Sequence, residues 1–413
     1  MDNNSREASL LRAGELKKTL SEYEEAAPAI PAGFQQWTRI LKNQERIKNI
    51  LEASDEEWQD WRWQLSKRVT TVEELKKYLP LSPQEVEEIE QTGLSYRWAV
   101  SPYYLSLIDR DDPGDPVRRQ SIPLLREHVD DTGTSDPMDE EHTSPAPAVT
   151  RRYPDRLIIN VTNQCAMYCR HCQRRRNIGE KDLATSRNDL AAAIDYVRNN
   201  KEIRDVLLTG GDAFMLSNNS IAWLLEQLDG IPHVEIKRFG TRTPVTLPYR
   251  IDDELCEILS RHLPLYVNTQ FNNPLEVTPA AREACFKLAR AGVSLGNQTV
   301  LLKGVNDDPF VMLKLNQELL RIMVRPYYIF HPKRVRGTAH FWVKIDRGLE
   351  IMEHLRGHTS GLAVPTYIIN APGGYGKVPL LPEYLLWLSG DAAVIRTWEN
   401  RIIKCDNSEA EEW

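Results

Sequence analysis

The chain has 413 residues, enough for one large enzyme domain with additional segments, since a typical domain holds about 150 residues. Its formal net charge is −7, with 52 basic and 59 acidic residues, so no general basic field favours a nucleic-acid partner. Six cysteines are too few for a disulfide scaffold, and without an apolar leader or a long apolar span we expect a cytoplasmic protein with reduced thiols and no membrane attachment.

Residues 1–108 are charged and amphipathic, a pattern that predicts an all-helical N-terminal region. Within it, Ser82-Pro-Gln-Glu85 has the form of a capping box with proline at the first helical position, which indicates the start of a helix. Five of the ten tryptophans fall here, and we expect them to pack helices against one another or against the rest of the protein. The helix-like stretches are residues 7–22, 33–51, 55–65 and 82–91.

Residues 109–150 are rich in Asp, Pro, Gly, Ser and Thr, especially in the stretches 111–116 and 138–147. This acidic, proline-rich composition predicts a connecting arm without regular structure. Because a long irregular segment is unusual inside a compact unit, we expect the arm to pack across the catalytic domain or against a neighbouring subunit.

From residue 151 onward, short apolar stretches typical of buried strands alternate with stretches typical of helices. The alternation predicts an α/β fold, a full or partial β/α barrel of parallel strands over residues 151–379, followed by a C-terminal extension over residues 380–413. The carboxyl ends of the strands should then meet on one face. The predicted strands lie near residues 157–161, 205–208, 234–239, 264–268, 294–301, 325–330 and 363–369.

Three cysteines, Cys165, Cys169 and Cys172, lie within eight residues, directly after the first of these strands. Three thiolates can hold three irons of a cubane [4Fe–4S] cluster and leave the fourth iron open to another ligand. The C-x3-C-x2-C spacing resembles the signature of the radical S-adenosylmethionine enzymes, in which the open iron binds the methionine moiety. A zinc site is the competing interpretation, but it would need a fourth ligand such as His171, which lies directly beside Cys172.

A glycine turn, Thr209-Gly210-Gly211-Asp212, follows the next predicted strand. Small residues let the backbone approach a ligand closely, and Asp212 can accept a hydrogen bond, although an ordinary turn would have the same sequence. In the radical S-adenosylmethionine enzymes, which the chain resembles, a similar turn holds the methionine amino group. Gln298, within a later predicted strand, is a further candidate for this cofactor, and its alternative is a hydrogen-bonded core amide.

A second glycine-rich turn, Gly373-Gly374-Tyr375-Gly376-Lys377, follows the last predicted strand. It differs from a P-loop because Val378 follows the lysine and no helix is predicted there. A lysine kept neutral by an apolar site can form the Schiff base that anchors pyridoxal phosphate, whereas a lysine after glycines is more often a solvated surface residue. The turn alone leaves both interpretations open.

Together, the motifs between about residues 100 and 379 resemble the lysine 2,3-aminomutase family of radical S-adenosylmethionine enzymes. The resemblance implies a partial (β/α)6-type barrel, a [4Fe–4S] cluster on the three cysteines and pyridoxal 5′-phosphate on Lys377, with Arg152 and Arg156 at its phosphate. It also implies that Arg174 holds the α-carboxylate of the substrate. The matching pieces are R-Y-P-D-R at 152–156, the cysteine stretch at 162–176, L-L-T-G-G-D at 207–212, R-T-P at 242–244, G-N-Q at 296–298, R-P-Y-Y at 325–328, L-R-G-H-T-S-G at 355–361 and the Lys377 turn.

Departures from the lysine-specific members concern the distal end of the substrate. In those enzymes two aspartates hold the distal ammonium, whereas this chain has Lys333 and Asn370 at the corresponding positions. A cation and a neutral amide suit a distal carboxylate, and this pair is the pattern of the glutamate 2,3-aminomutases. Gln270 and Asn273 stand where the lysine enzymes have histidines, and the sequence assigns no consequence to that difference.

A further departure concerns zinc. The lysine enzymes carry a cysteine after G-V-N-D and a cysteine cluster near the carboxyl end, whereas this chain has Asp308 at the first position and only Cys405 beyond Lys377. We therefore expect no structural zinc.

The resemblance implies an isomerase that interconverts L-glutamate and 3-aminoglutarate by a radical 1,2-amino shift, using the cluster, S-adenosylmethionine and pyridoxal phosphate. It also implies an electron donor such as flavodoxin or ferredoxin, and we expect a homo-oligomer. The alternatives are a lysine or arginine 2,3-aminomutase, a radical-free pyridoxal enzyme and a zinc-binding interaction protein.

Overall fold

The structure is a computed structural model that describes residues 3–408, the first two of them by their backbone alone. Its helices are α1 (Asn3–Thr19), α2 (Ser21–Ala26), α3 (Trp37–Leu51), α4 (Asp55–Gln59), α5 (Trp61–Ser66), α6 (Val72–Leu75), α7 (Pro83–Ser95), α8 (Pro102–Leu107), α9 (Pro116–Ser121), α10 (Leu125–Val129), α11 (Arg187–Asn199), α12 (Asn218–Asp229), α13 (Thr243–Thr246), α14 (Asp253–Ser260), α15 (Pro279–Arg290), α16 (Pro309–Arg321) and α17 (Ile345–Leu355). Its strands are β1 (Val149–Thr150), β2 (Arg156–Thr162), β3 (Asp205–Gly210), β4 (Ile236–Gly240), β5 (Leu265–Thr269), β6 (Ser294–Val300), β7 (Arg325–Phe330), β8 (Thr366–Asn370), β9 (Lys377–Pro379), β10 (Leu385–Leu388), β11 (Ala392–Arg396) and β12 (Ile402–Asp406).

The N-terminal region is helical, as predicted, and α7 begins at the predicted capping box. The backbone amide of Glu85 donates to Ser82 Oγ at 3.2 Å, and the amide of Ser82 donates to Glu85 Oε2 at 2.8 Å. These two bonds satisfy amide groups that the first helical turn leaves without partners.

Two tryptophans of the N-terminal helices pack against the region that follows β4. Trp58 is buried, and its indole Nε1 donates to Tyr249 Oη at 3.1 Å. The guanidinium of Arg250 lies 4.7 Å from the centroid of the Trp61 ring. The tryptophans therefore join the helical region to the barrel, in agreement with the packing role predicted for them.

The segment 109–150 is less irregular than predicted, because α9 and α10 lie within it. Asp115 caps α9 by accepting the backbone amides of Val117 and Arg118, both at 2.8 Å. Aspartate followed by proline is a helix-start signal as well as a turn signal, which is why composition alone predicted irregular structure. As expected, the arm packs on the barrel, with Met138 and Glu140 buried there.

The main sheet confirms the predicted partial barrel. Within residues 3–408, the seven strands β2 to β8 run parallel in chain order, and the short antiparallel strands β1 and β9 cover the two edges. The six crossovers between the parallel strands carry helices α11 to α17 on the outside. This topology places the turns that follow the strands on one face.

Two apolar clusters hold these layers together. One cluster combines Leu208 and Val267 of the sheet with Ile194, Leu224 and Leu255 of the surrounding helices. The other joins N-terminal helices to α15, α16 and α17, with members that include Ile40, Trp58, Cys285, Leu313 and Ile351. Because burying one such aliphatic side chain is worth about 1.5–3 kcal/mol, the helical region and the barrel share a substantial part of their stability.

Beyond β9, the strands β10, β11 and β12 form a separate antiparallel sheet. Several of its large apolar side chains are exposed, among them Leu385, Trp387, Leu388 and Ile402. Among the helices of residues 3–408, none is long and apolar enough to cross a membrane. The division of the chain at residues 108, 150 and 379 stays a prediction.

Candidate active site

A cavity of about 260 Å³ opens where the parallel strands end. The barrel strands and the turns after them supply most of its lining. Every residue that the sequence predicted for the site lies in this lining, although these residues are spread over more than 200 positions of the chain. They are Arg152, Arg156, Cys165, Cys169, Cys172, Arg174, Thr209, Gly210, Gly211, Asp212, Gln298, Lys333, Asn370 and Lys377.

The cysteine loop follows β2 and is held by the N-terminal helical region. Arg68 Nη1 donates to the backbone carbonyl of Cys165 at 2.6 Å, and the amide of Tyr168 donates to the carbonyl of Ala99 at 3.1 Å. The amide of Cys172 donates to the carbonyl of Cys169 at 3.1 Å, which closes a turn between these two thiols. The loop conformation therefore depends on contacts from a part of the chain far away in sequence.

Cys165, Cys169 and Cys172 all line the cavity and supply the three thiols that a cubane cluster with one open iron requires. Burial raises the pKa of Cys165 and of Cys172, but coordination to iron deprotonates a thiol outright. Among the side chains of residues 5–408, no three His, Cys, Asp or Glu groups are placed to hold one metal ion. Zinc needs such convergence, whereas in a cubane each thiolate binds its own iron. His171 Nε2 instead accepts from Asn272 Nδ2 at 3.3 Å.

Gly210 and Gly211 let the end of β3 pack directly against the start of the cysteine loop. Gly210 has φ of 129°, and a side chain there would collide with the carbonyl oxygen of Thr162. A Cβ added to Gly211 would lie 2.5 Å from the carbonyl carbon of Asn163. The two glycines thus have a packing role that the sequence alone did not reveal.

Asp212 is buried behind this turn, with both carboxylate oxygens in hydrogen bonds. It accepts from Thr241 Oγ1 at 2.5 Å, from the amide of Arg242 at 2.8 Å and from the amide of Phe214 at 3.1 Å. Burial raises its pKa. Gln298 on β6 differs, since its side-chain amide forms no hydrogen bond within residues 5–408, so it is available to a ligand rather than being a satisfied core amide.

Lys377 lies at the start of β9, directly opposite Asn370 of β8. Its Nζ lies 5.6 Å, 5.7 Å and 6.0 Å from three aromatic ring centroids, those of Tyr153, Tyr328 and Phe330, and has no acceptor among the side chains of residues 5–408. Burial, together with the nearby arginines, lowers the pKa of Lys377 to about 8. A lysine that is partly neutral near neutral pH can attack a carbonyl carbon, which fits the anchor of pyridoxal phosphate.

Arg152 and Arg156 approach the cavity from the start of β2. Arg152 Nη1 is buried and has no hydrogen-bond partner among residues 5–408, and burial lowers the pKa of its guanidinium. The guanidinium of Arg156 lies 3.9 Å from the ring centroid of Tyr153. Since an unpartnered buried cationic donor is costly, the pair fits an anion such as a phosphate group.

Lys333 follows β7 and points into the cavity rather than into solvent. Its Nζ donates to Gln173 Oε1 and lies 5.3 Å from the ring centroid of Phe330. Burial, followed by the charges of neighbouring cations, lowers the pKa of Lys333 to about 7. Asn370 Nδ2 is buried as well, and it has no hydrogen-bond partner among residues 5–408. These two donors make this part of the cavity suited to an anion.

Glu140, from the arm, is a cavity neighbour that the sequence did not single out. Arg174 donates to Glu140 Oε1 from Nε at 3.0 Å and from Nη2 at 2.9 Å, and Arg176 Nη2 donates to Oε2 at 3.0 Å. Burial opposes ionisation of Glu140, but Arg174, Arg152 and Arg176 hold its pKa below the ordinary value. The only sequence signal for Glu140 was the expectation that the acidic arm packs across the catalytic domain or against a neighbouring subunit.

Asn273, Gln270 and Asp308 are the remaining positions at which the chain departs from the lysine enzymes, and the structure shows where each lies. Asn273 is structural, because its Oδ1 accepts the amide of Leu275 at 3.0 Å and its Nδ2 donates to the carbonyl of Val305 at 2.7 Å. Gln270 lines the cavity. Asp308 caps α16 by accepting the amides that begin that helix. The expected absence of zinc stays a prediction.

Comparisons with known proteins agree with this geometry. Residues 159–314 match the family model of the Radical SAM superfamily, and residues 352–411 match that of Lysine-2,3-aminomutase. The chain is 54% identical over 408 residues to the glutamate 2,3-aminomutase of Clostridioides difficile (strain 630), covering 99% of this chain and 97% of that protein. It is 49% identical over 358 residues to the L-lysine 2,3-aminomutase of Clostridium subterminale, covering 86% of each. Streptococcus suis SuiB bound to S-adenosylmethionine matches with a TM-score of 0.41 and 12% identity, over 53% of this chain and 51% of that chain.

The fold and the thiol-lined cavity therefore define a radical S-adenosylmethionine enzyme. More narrowly, the chain belongs to the lysine 2,3-aminomutase family. It is an isomerase, and the cofactors of its family are a [4Fe–4S] cluster, S-adenosylmethionine and pyridoxal phosphate.

Proposed function

We propose that the protein is a glutamate 2,3-aminomutase, which interconverts L-glutamate and 3-aminoglutarate by moving the amino group between carbons 2 and 3. The observation that carries this proposal is that Lys333 lines the cavity together with Asn370, whose side-chain Nδ2 has no hydrogen-bond partner within residues 5–408. Both groups are donors, so they suit the γ-carboxylate of glutamate and disfavour a distal ammonium. The similarity to a glutamate 2,3-aminomutase over almost the whole chain supports the same conclusion.

The cofactors are assigned to residues that line the cavity. Cys165, Cys169 and Cys172 would hold the cluster, and Lys377 would hold pyridoxal phosphate, with Arg152 and Arg156 at its phosphate. When bound, the cluster and S-adenosylmethionine supply the radical that starts the reaction, and pyridoxal phosphate carries the migrating amino group. The residues assigned to S-adenosylmethionine are Thr209, Gly210, Gly211, Asp212 and Gln298.

Three side chains of the protein would orient the substrate between these groups. Arg174 would bind the α-carboxylate through Nη1, because its Nε and Nη2 are already engaged by Glu140. Lys333 and Asn370 would bind the γ-carboxylate at the other end. A substrate fixed at both carboxylates cannot rotate its reacting carbons out of position, and the enclosing aromatic rings exclude water.

Substrate choice follows from the charge of Lys333. A hydrogen-bonded charge contact in a buried site is worth about 1.5–3 kcal/mol, whereas lysine as substrate would place a second cation beside Lys333. Because each 1.4 kcal/mol corresponds to about a factor of ten, glutamate should exceed lysine by about 100-fold or more in kcat/KM. A lysine 2,3-aminomutase is the second candidate, favoured by the 49% identity to such an enzyme.

An anaerobic assay of the reconstituted holoenzyme with dithionite, followed by amino-acid analysis, separates the two candidates. We expect 3-aminoglutarate from glutamate and little product from lysine or arginine; equal turnover of lysine would contradict the proposal. The double variant Lys333→Asp with Asn370→Asp should lose most glutamate turnover. Lys201→Asp, which changes an exposed lysine, is the control and should retain it. A double variant as active on glutamate as the parent would refute the assignment of the pocket.

The cluster assignment has its own test. Replacing any one of Cys165, Cys169 or Cys172 by Ala should abolish cluster assembly, which iron, sulfide and zinc analysis of the purified protein measures. The same replacements should abolish S-adenosylmethionine cleavage, measured by the consumption of S-adenosylmethionine. Full clusters in any of the three variants would overturn the ligand assignment. An electron donor such as flavodoxin or ferredoxin, a homo-oligomeric state and a cytoplasmic location belong to the same proposal.

A further inference from the structure

Arg242, which follows β4, places a buried cation against one of the three thiols. Its Nη1 donates to Cys169 Sγ at 2.9 Å, and its Nε donates to the backbone carbonyl of Gln270 at 3.0 Å. Its Nη2 donates to Glu276 Oε1 and to Gln120 Oε1, both at 2.6 Å. All three nitrogens of the guanidinium are therefore engaged, and the side chain has one position.

Glu276 is the counter-charge of Arg242 and is completely buried. Its Oε1 also accepts from Tyr104 Oη at 2.7 Å, and its Oε2 accepts the amides of Asn272 at 2.5 Å and Asn273 at 3.0 Å. The carboxylate is thus held by five donors in all. A buried ion pair of this kind is stable only when its remaining hydrogen-bonding positions are satisfied, and here they are.

The N-terminal helical region and the connecting arm complete this network. Tyr104 lies on α8 and Gln120 lies on α9, outside the barrel, and both contact the Arg242–Glu276 pair. Neither Arg242 nor Glu276 is among the residues assigned above to substrate or cofactors. The network therefore connects the helical region to Cys169 and has no role in the reaction described so far.

We infer that Arg242 is a positioning residue that sets the reduction potential of the cluster by acting through Cys169. Reduction of the cluster adds one electron, taken from the external donor, and so adds one negative charge. A cationic N–H donor on a ligating sulfur favours the form with more negative charge and raises the potential. The negative charge of Glu276 opposes this effect, so Arg242 raises the reduction potential of the cluster and Glu276 lowers it.

This inference rests on the proposed role of Cys169 as a cluster ligand. The test is the midpoint potential of the reconstituted parent and variants without S-adenosylmethionine, measured by titration with dithionite and detection of the reduced cluster by electron paramagnetic resonance. In Arg242→Gln we expect the ratio of reduced to oxidised cluster at a fixed solution potential to fall about tenfold, which corresponds to about 59 mV for one electron.

Arg250→Gln is the matched control, because it removes the charge of a buried arginine whose donors go to Phe214 O, Leu216 O and Asn218 Oδ1 rather than to a thiol. It should keep the parental potential, and a shift equal to that of Arg242→Gln would overturn the inference. Glu276→Gln removes the opposing charge and should shift the potential in the opposite direction, toward easier reduction.

An unchanged potential in both Arg242→Gln and Glu276→Gln refutes the role of Arg242. If Arg242→Gln fails to assemble a cluster, Glu276→Gln alone decides, and a potential that stays at or below the parental value refutes the inference. Retention of a full cluster in Cys169→Ala instead refutes the proposed ligand set. Failure of the role inferred for Arg242 and failure of the proposed ligand set therefore give different results.

Discussion

Lys333 and Lys377 occupy the same cavity, yet their surroundings give them different tasks. Lys377 faces three aromatic rings and has no acceptor within residues 5–408, whereas Lys333 donates to Gln173 and lies toward Arg152 and Arg174. Burial lowers the pKa of both. Lys377 therefore suits covalent chemistry, and Lys333 suits the recognition of an anion.

Lys377→Ala should remove covalently attached pyridoxal phosphate. Borohydride reduction of the parent followed by peptide mapping should place the label on Lys377, because this amine faces three aromatic rings and has no acceptor within residues 5–408, whereas Lys333 is engaged by Gln173. The control, Lys333→Ala, should keep the label. Label on another lysine in the parent would disprove the anchor.

A second prediction at the residue scale concerns Glu140. In Glu140→Gln the buried Arg174 loses its carboxylate partner, and breaking a buried pair commonly costs about 3–5 kcal/mol. We expect a lower melting temperature and, since Arg174 is no longer held in place, a KM for glutamate raised about tenfold or more.

Steady-state kinetics and thermal unfolding of Glu140→Gln should be compared with Glu141→Gln, which changes an exposed neighbour on the same arm. The control should match the parent in both measurements. A parental KM in Glu140→Gln would mean that Glu140 does not position Arg174.

At the scale of elements, the cysteine loop is shaped by two neighbours that the sequence treats as separate. The glycine turn after β3 packs on one side of it, and the N-terminal helical region holds the other. On that side Asp182 accepts from Arg68, from Arg97 Nη2 at 2.7 Å and from Tyr168. The helical region, for which the sequence suggested no role, thus helps to hold the cysteine loop that we propose as the cluster site.

Gly211→Ala should impair cluster assembly. The added methyl group would lie 2.5 Å from backbone of the cysteine loop, so the loop must move and its thiols with it. Iron and sulfide content after anaerobic reconstitution measures the effect, and we expect less than about half of the parental occupancy. Gly361→Ala, where a Cβ meets nothing within 4 Å, should match the parent. Full occupancy in Gly211→Ala would show that the close approach is not needed.

At the scale of the whole molecule, the fold concentrates positive charge in a protein whose net charge is −7. Arg152, Arg156, Arg174, Lys333 and Lys377 all line one cavity. Such a concentration is unfavourable without anions, and burial, followed by the neighbouring cations, lowers the pKa of both lysines. The cavity is therefore built for a ligand set that carries several negative charges, as a phosphate and a dicarboxylate do together.

This charge predicts a pH dependence of the cofactor-free protein. The pKa of Lys333 falls from 10.5 to about 7 on folding, so between these values the unfolded state binds more protons than the folded state. Stability should then rise with pH through this window, by up to about 1.4 kcal/mol per pH unit. In Lys333→Met this contribution disappears.

Thermal unfolding of the parent and Lys333→Met, from about pH 7 to about pH 9, measures the effect. The parent should gain stability relative to the variant as the pH rises, whereas Lys201→Met, at an exposed position, should follow the parent. Curves for parent and Lys333→Met that stay parallel would disprove the lowered pKa.

The sequence by itself determined the chemistry that depends on short spacing. The spacing of Cys165, Cys169 and Cys172 is a local feature that indicated a cluster before any fold was known, whereas the roles of Lys377 and Lys333 came from the resemblance to a known family. The alternation of strand-like and helix-like stretches predicted a full or partial barrel, because hydrophobic periodicity reports which face of an element is buried.

The tertiary structure alone decided which distant side chains meet. Glu140 reaches Arg174 across 34 positions, Arg242 reaches Cys169 across 73, and Arg68 reaches Cys165 across 97. No local pattern encodes these pairs, since they depend on how the arm and the helical region pack against the barrel. In each pair, the arginine reaches its distant partner only when packing brings the two parts of the chain together.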